Sequence, residues 1–307
     1  MEYILETSGL TKVYGQKEAA KDVNLHIPEG VIYGLIGRNG AGKTTIMRMI
    51  SGLSTPTRGS YSLFGKTGAE MKKQLKNVGV LIEHPGLYPR LSAYENLKIK
   101  CIAMGISPGG TVEQMLKTAG LENTDRKKPS GAYSLGMRQR LGIALALVGD
   151  PKILILDEPI NGLDPQGIVE VREMLTRLRD EKGITIMISS HILDELAKVA
   201  DAYGIIHEGE MLDEFSAEEL HRRSEQCVKI RADRPEAAVK ALAEAGARQV
   251  TAEADGTIRV ADPEMLEKTA EMSRAIVSAG IGLEEIYVHS VSLEDYYLGV
   301  TGGKHNG

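Results

Sequence analysis

Tryptophan is absent from this 307-residue chain and phenylalanine occurs only twice, so aromatics make up 4% of a sequence that is 42% apolar. The core must therefore be aliphatic. Cysteine is scarce too. Cys101 and Cys227 stand far apart and match no metal-ligand spacing, which excludes a zinc module or a disulfide framework and reads as two free thiols in a reducing compartment. Long apolar runs are missing. The longest, Leu141 to Gly149 and then Ile153 to Leu156, is broken by Asp150-Pro151-Lys152, well short of the ~20 residues that span a bilayer. There is no excess of positive charge. The net charge of −5 argues against a nucleic-acid binder, which would carry a basic face. Met1 to Glu6 has no basic stretch followed by an apolar one, so no secretory signal is expected. If the protein works at a membrane, another chain does the spanning. Internal repeats and low-complexity segments are absent as well.

What is present is an alternation of strand and helix patterns. Tyr3 to Glu6 and Lys21 to Ile27 read as short strands, and Val31 to Ile36 as a buried one. Val78 to Ile82 is a further strand, leading into a Pro/Gly loop at His84 to Pro89. Residues 92–148 read mostly as helix, with Leu97, Cys101 and Met104 at helical spacing, as are Leu141, Leu145 and Val148. Strand Ile153 to Leu156, helix Gly167 to Glu181 and strand Thr185 to Ile188 follow, then a helix carrying Leu193, Leu196, Ala197 and Ala200 on one face. Such alternation predicts a mostly parallel sheet, with the long helical stretch as a subdomain at about 86–150. Past residue 215 the chain turns rich in Ala and Glu. Strand Cys227 to Arg231, helix Pro235 to Ala245, strands at Arg248 to Thr251 and Thr257 to Val260, helix Glu264 to Ala279 and strand Leu283 to Val288 predict a small α+β domain at 216–307, set apart from a first domain at 1–215.

Between the first buried strand and the helix opening at Thr45 lies Gly37-Arg38-Asn39-Gly40-Ala41-Gly42-Lys43-Thr44. It fits G-x-x-x-x-G-K-[ST], the phosphate-binding loop. Its glycines let the backbone turn tightly and aim N–H groups at phosphates, and a side chain at Gly37, Gly40 or Gly42 is expected to crowd that approach. Lys43 brings charge to the outer phosphates and the Thr44 hydroxyl can ligate Mg²⁺. A second feature is Ile153-Leu154-Ile155-Leu156-Asp157-Glu158, an apolar strand ending in two carboxylates. Ligands of parallel sheets sit at the carboxyl ends of strands, so Asp157 is placed to hold Mg²⁺ and Glu158 to polarise a water attacking the γ-phosphate. A helix cap or a solvated turn is the alternative reading of that pair. His191, just after Ser189-Ser190, could cap a helix or sit in the core. If its strand neighbours the Asp157 strand, its imidazole would face the γ-phosphate.

In this order the motifs resemble those of the ATP-binding subunits of ABC transporters, over about residues 3–215. The resemblance implies an α/β P-loop NTPase core with a mostly parallel sheet and a helical subdomain, the C-terminal α+β domain being accessory. It implies ATP and Mg²⁺ as ligand and cofactor. Gly37 to Thr44, with Thr45, is similar to the Walker A loop, Ile153 to Glu158 to the Walker B strand with its catalytic glutamate, Asn161-Gly162-Leu163-Asp164 to the D-loop, and Ser190-His191 to the switch histidine. Tyr14 sits where such subunits stack an aromatic ring on adenine, though an edge-strand tyrosine would look the same. The signature loop, usually Leu-Ser-Gly-Gly-Gln, is here Tyr133-Ser134-Leu135-Gly136-Met137. Ser134 and Gly136 are kept, while Leu135 and Met137 replace a Gly and the Gln. In the family this loop of one subunit closes over the Walker A loop of another, so single copies imply a dimer of nucleotide-binding domains.

Glu83 stands where the family has a Gln that senses Mg²⁺ and contacts the membrane partner. With the signature and the tail Ser292 to Leu298, it is similar to the branch of bacitracin-resistance and lantibiotic self-protection exporters. The resemblance thus implies a cytoplasmic ATPase at the inner face of the membrane that energises a separate permease, with antimicrobial peptides as cargo class and no nucleic-acid partner. A soluble ATPase acting on ribosomes or DNA, and an importer subunit, stay open as alternatives. His289 and the Glu284-Glu285 pair read as solvated surface groups.

Overall fold

The computed structural model describes residues 3–223, 227–253, 255–289 and 292–302. β1 (Tyr3–Tyr14) and β2 (Lys17–Pro28) form an antiparallel pair, β3 (Ile32–Ile36) runs into α1 (Lys43–Ile50), and β4 (Arg58–Leu63) returns to pair with β1. After α2 (Gly68–Gln74) and β5 (Val78–Leu81) come three helices, α3 (Ala93–Ala103), α4 (Thr111–Thr118) and α5 (Leu135–Leu147). β6 (Ile153–Leu156), α6 (Pro165–Lys182), β7 (Thr185–Ser190), α7 (Leu193–Ala197), β8 (Ala202–His207) and β9 (Glu210–Ser216) complete this part. The main sheet has the order β5-β6-β7-β3-β8-β9; its first five strands are parallel and β9 is antiparallel.

Every residue of β3, β6 and β7 is buried, as expected for parallel strands covered on both faces. One cover is the antiparallel sheet: Leu5, Leu25 and Ile27 share a core cluster with Tyr33, Leu35, Ile155 and Met187 of the main sheet and with Met47 and Ile50 of α1. The cluster is almost wholly aliphatic, as the shortage of aromatics requires.

The sequence reading differs from this in several places. β1 and β2 are twelve residues each rather than short, because paired edges let half-exposed polar positions stay extended. The sequence pattern does not predict β4, β8 or β9; β4 is Arg-Gly-Ser-Tyr-Ser-Leu, mostly polar, and gains its strand character from β1. The helical stretch is broken at Gly105 and Gly110, both left-handed. Ser189 and Ser190 belong to β7.

Residues 218–299 form a second compact unit. Beyond α8 (Ala217–Arg223) it runs β10 (Cys227–Ala232), α9 (Pro235–Glu244), β11 (Val250–Ala252), β12 (Ile258–Val260), α10 (Thr269–Ser278), β13 (Leu283–His289) and α11 (Leu293–Val300). The four strands pair antiparallel in the order β11-β12-β10-β13, a split β-α-β arrangement. Val228, Ile230, Leu242, Ile258, Val260 and Ile276 fill its core. The helix expected from Glu264 starts only at Thr269, after a tight turn at Pro263–Met265. Glu284 and Glu285 are exposed, whereas His289 is half-buried, edge-on to Tyr287 at 6.4 Å.

One contact ties β3 to the far edge of the main sheet. Tyr33 is buried and donates its hydroxyl to Glu214 of β9 at 2.6 Å. Burial, and then the neighbouring carboxylate, push its phenol pKa well above the usual value. Gly204 on the intervening β8 makes the space: a Cβ there would lie 2.1 Å from the Tyr33 oxygen. Gly204→Ala is expected to destabilise the fold by about 1–3 kcal/mol through overpacking. In a Tyr33→Phe background the penalty should shrink, as a double-mutant cycle by chemical denaturation would show.

Candidate functional site

The strand order sets the site. β6 and β7 pair with Leu156 opposite Ile188, and β7 and β3 with Ser190 opposite Ile36. The chain therefore leaves the sheet after Leu156, after Ser190 and after Ile36, three adjacent strand ends that carry Asp157-Glu158, His191 and Gly37. The adjacency on which the reading of His191 depended is present.

The loop after β3 is shaped by its own surroundings. Gly40 and Gly42 are left-handed, with φ of 82° and 109°. A Cβ on Gly42 would come 2.4 Å from the Ala19 carbonyl of β2, and one on Gly37 2.6 Å from the Ile206 carbonyl of β8; one on Gly40 would meet nothing within 4 Å. The expected crowding thus arises against the protein's backbone, and Gly40 is constrained only by its φ. Gly209, in the β8–β9 turn, donates its N–H to the Ala41 carbonyl at 2.9 Å and so braces the loop.

Side chains converge where loop and strands meet. Lys43, 5% exposed, donates to the Gly37 carbonyl at 2.6 Å and lies 3.2 Å from Glu158 Oε1. The other oxygen, Glu158 Oε2, is 2.7 Å from His191 Nδ1. Glu158 thus stands between a cation and an imidazole, on a left-handed backbone with φ of 49°, a conformation that costs a non-glycine residue energy and concentrates at functional sites. Buried Asp157 accepts from Thr44 Oγ1 at 2.7 Å and from Ser189 Oγ at 2.6 Å, and the Ser189 hydroxyl accepts the Glu158 N–H at 2.9 Å. Sequence reasoning gave Ser189 no role. The available signal was a serine pair ending an otherwise apolar buried strand.

A cavity of about 350 Å³ opens over this cluster, lined by Arg38 to Thr45, Glu158, Lys17, Ala19 and Tyr14. Tyr14 is half-exposed at the end of β1, with Lys12 Nζ 5.1 Å from its ring centre. Other residues singled out in the sequence lie outside the cavity lining. Ser134 caps α5, its hydroxyl accepting the Met137 N–H at 3.1 Å; Leu135 is exposed and Gly136 buried. Asp164 caps α6, accepting from the Gly167 N–H at 3.1 Å. Glu83 is exposed and left-handed, and its carboxylate pairs with Arg48 of α1.

A family model described as ABC transporter matches residues 20–161. Over 305 residues the chain is 44% identical to the bacitracin transport ATP-binding protein BcrA of Enterococcus faecalis, covering 99% of this chain and 98% of that one. The chain belongs to the ABC transporter ATP-binding subunits. It is also 47% identical to the lantibiotic transport ATP-binding protein SrtF of Streptococcus pyogenes, over 68% of this chain and 89% of that one. Among solved structures it resembles a dimeric ATP-binding cassette in a post-hydrolysis state bound to ADP and Pi, at TM-score 0.62 and 26% identity, covering 69% of this chain and 98% of that one. The fold is thus that of an ABC ATPase, and the chain is an ATP-hydrolysing cassette. In this ABC subunit Gly42→Ala is expected to displace the loop and weaken ATP binding at least about tenfold, since both the carbonyl clash and the left-handed φ oppose a side chain. Titration with a fluorescent nucleotide checks it. Unchanged affinity would mean that the loop path does not depend on that close approach.

Proposed function

We propose that the protein is the ATPase of a bacterial exporter of the antimicrobial-peptide resistance type, acting at the inner face of the cell membrane on a separate permease. Two relatives named for bacitracin and lantibiotic transport support the cargo class. No helix among the described residues is long and apolar enough to cross a membrane. A groove of about 570 Å³ between β5 and the helical subdomain, with exposed Tyr88 and Ile99 at its rim next to Glu83, suits contact with a permease.

The observation that carries the catalytic reading is Glu158 poised between Lys43 and His191, beside the Thr44–Asp157 pair. In that reading the N–H groups of residues 38–45 and Lys43 hold the ATP phosphates, and Tyr14 stacks on adenine. Glu158 takes a proton from water as it attacks the γ-phosphate, and His191 fixes the geometry. Thr44 Oγ1 and Asp157 Oδ2, 2.7 Å apart, are hard oxygen donors of the kind that hold Mg²⁺ together with substrate phosphates. Bound there, Mg²⁺ would neutralise charge on the phosphate oxygens. Glu83, tied to Arg48, is proposed as a permease-side group that reaches the metal only on leaving that pair. Ser134 to Met137 at the start of α5 and Asp164 at the start of α6 would face the ATP of a second copy, since each motif occurs once and the related cassette is dimeric.

Glu158→Gln is expected to lower ATP turnover by ~10²–10⁴-fold, the span of general-base catalysis, while nucleotide binding is retained. Steady-state hydrolysis beside equilibrium nucleotide binding reads both. Wild-type turnover in that variant would sink the assignment.

A further inference from the structure

We propose that Ser189 is a positioning residue for hydrolysis, its one hydroxyl setting the orientation of both Asp157 and Glu158; the proposal rests on the roles given to those carboxylates above. Ser189 has no exposed surface and sits in a strand whose Ile186, Met187 and Ile188 are equally buried. An aliphatic side chain would be the ordinary occupant of such a position. The hydroxyl instead uses both of its capacities. It donates to Asp157 Oδ1 at 2.6 Å, a short charge-assisted bond, and accepts the Glu158 N–H at 2.9 Å.

Each bond constrains a different feature. With Oδ1 held by Ser189, Asp157 presents Oδ2 to Thr44 at 2.7 Å, so the hydroxyl fixes the rotation of the carboxylate that faces the metal position. The bond to the Glu158 N–H falls where the backbone leaves β6 and turns left-handed, at φ 49°. There the ladder to β7 has ended, with Leu156 opposite Ile188 as its last pair, and the Ser189 side chain supplies the partner that N–H needs. The turn aims the Glu158 carboxylate at Lys43 and His191. Replacing Ser189 by Ala would leave the part-buried Glu158 N–H without this partner and would free Asp157 Oδ1 to rotate.

The test uses the full-length chain with Ser189→Ala and Ser189→Thr, the second keeping the hydroxyl. For each, kcat and KM for ATP, affinity for a fluorescent ATP analogue with Mg²⁺ and with EDTA, and thermal stability are measured. The expected result for Ser189→Ala is a fall in kcat of about 10–100-fold with KM within about threefold, the pattern of a group acting on the transition state. The gain in nucleotide affinity on adding Mg²⁺ should shrink severalfold, and Thr should restore most of both. Wild-type kcat and an unchanged Mg²⁺ gain in Ser189→Ala would overturn the proposal. So would equal losses in the Ala and Thr variants that track their stability, since that marks a packing role. Loss of turnover in Glu158→Gln with full turnover in Ser189→Ala would remove this inference alone, whereas full turnover in Glu158→Gln would remove the reading beneath it.

Discussion

The parallel hydrogen bonding of β6 to β7 and of β7 to β3 is the constraint on which the rest depends. Parallel strands place their carboxyl ends on one edge, so three segments far apart in sequence deliver their chemistry side by side. The same pairing demands helices or a second sheet on both faces, which keeps the interiors of β3, β6 and β7 apolar apart from the Tyr33 hydroxyl. Polar function is thereby confined to the strand ends. Asp157, Glu158, Ser189 and His191 lie within two residues of such an end, and Lys43 follows at the start of α1.

That confinement creates an electrostatic problem. A nearly buried ammonium is costly unless paired, and Lys43 has three partners, the Gly37 and Arg38 carbonyls and Glu158. Asp157 is satisfied by two hydroxyls and Glu158 by Lys43 and His191. Each of these charged groups thus finds its partners inside the cluster.

Much of this was legible in the sequence because the relevant patterns are dense. The glycine-rich loop between a buried strand and a helix is specific by itself, whereas the Ile-Leu-Ile-Leu run ending in Asp-Glu, open to a helix-cap or turn reading alone, takes its meaning from following that loop. Other features depend on tertiary partners. β4 and the β8–β9 hairpin are mixed in polarity and gain their extended form from neighbouring strands. Ser189 carries no motif, and its meaning comes only from facing Asp157 across the sheet. The pairing of Glu83 with Arg48, 35 positions away, was invisible to local reasoning. At the signature residues the structure shows the helix cap made by Ser134, while the contact proposed with a second copy lies outside a single chain. In the C-terminal unit the strand and helix order was readable from alternation, whereas the strand order β11-β12-β10-β13 was not.

As an ATP-binding subunit this chain is one part of a membrane machine whose other parts are separate proteins. The groove beside Glu83 and the signature loop are the surfaces proposed for those other chains. The most direct measurement is affinity purification of the full-length protein from solubilised host membranes in ATP and Mg²⁺, followed by mass spectrometry. The account predicts recovery of a polytopic membrane protein in stoichiometric amount. Recovery of ribosomal or DNA-associated proteins with no such partner would contradict it.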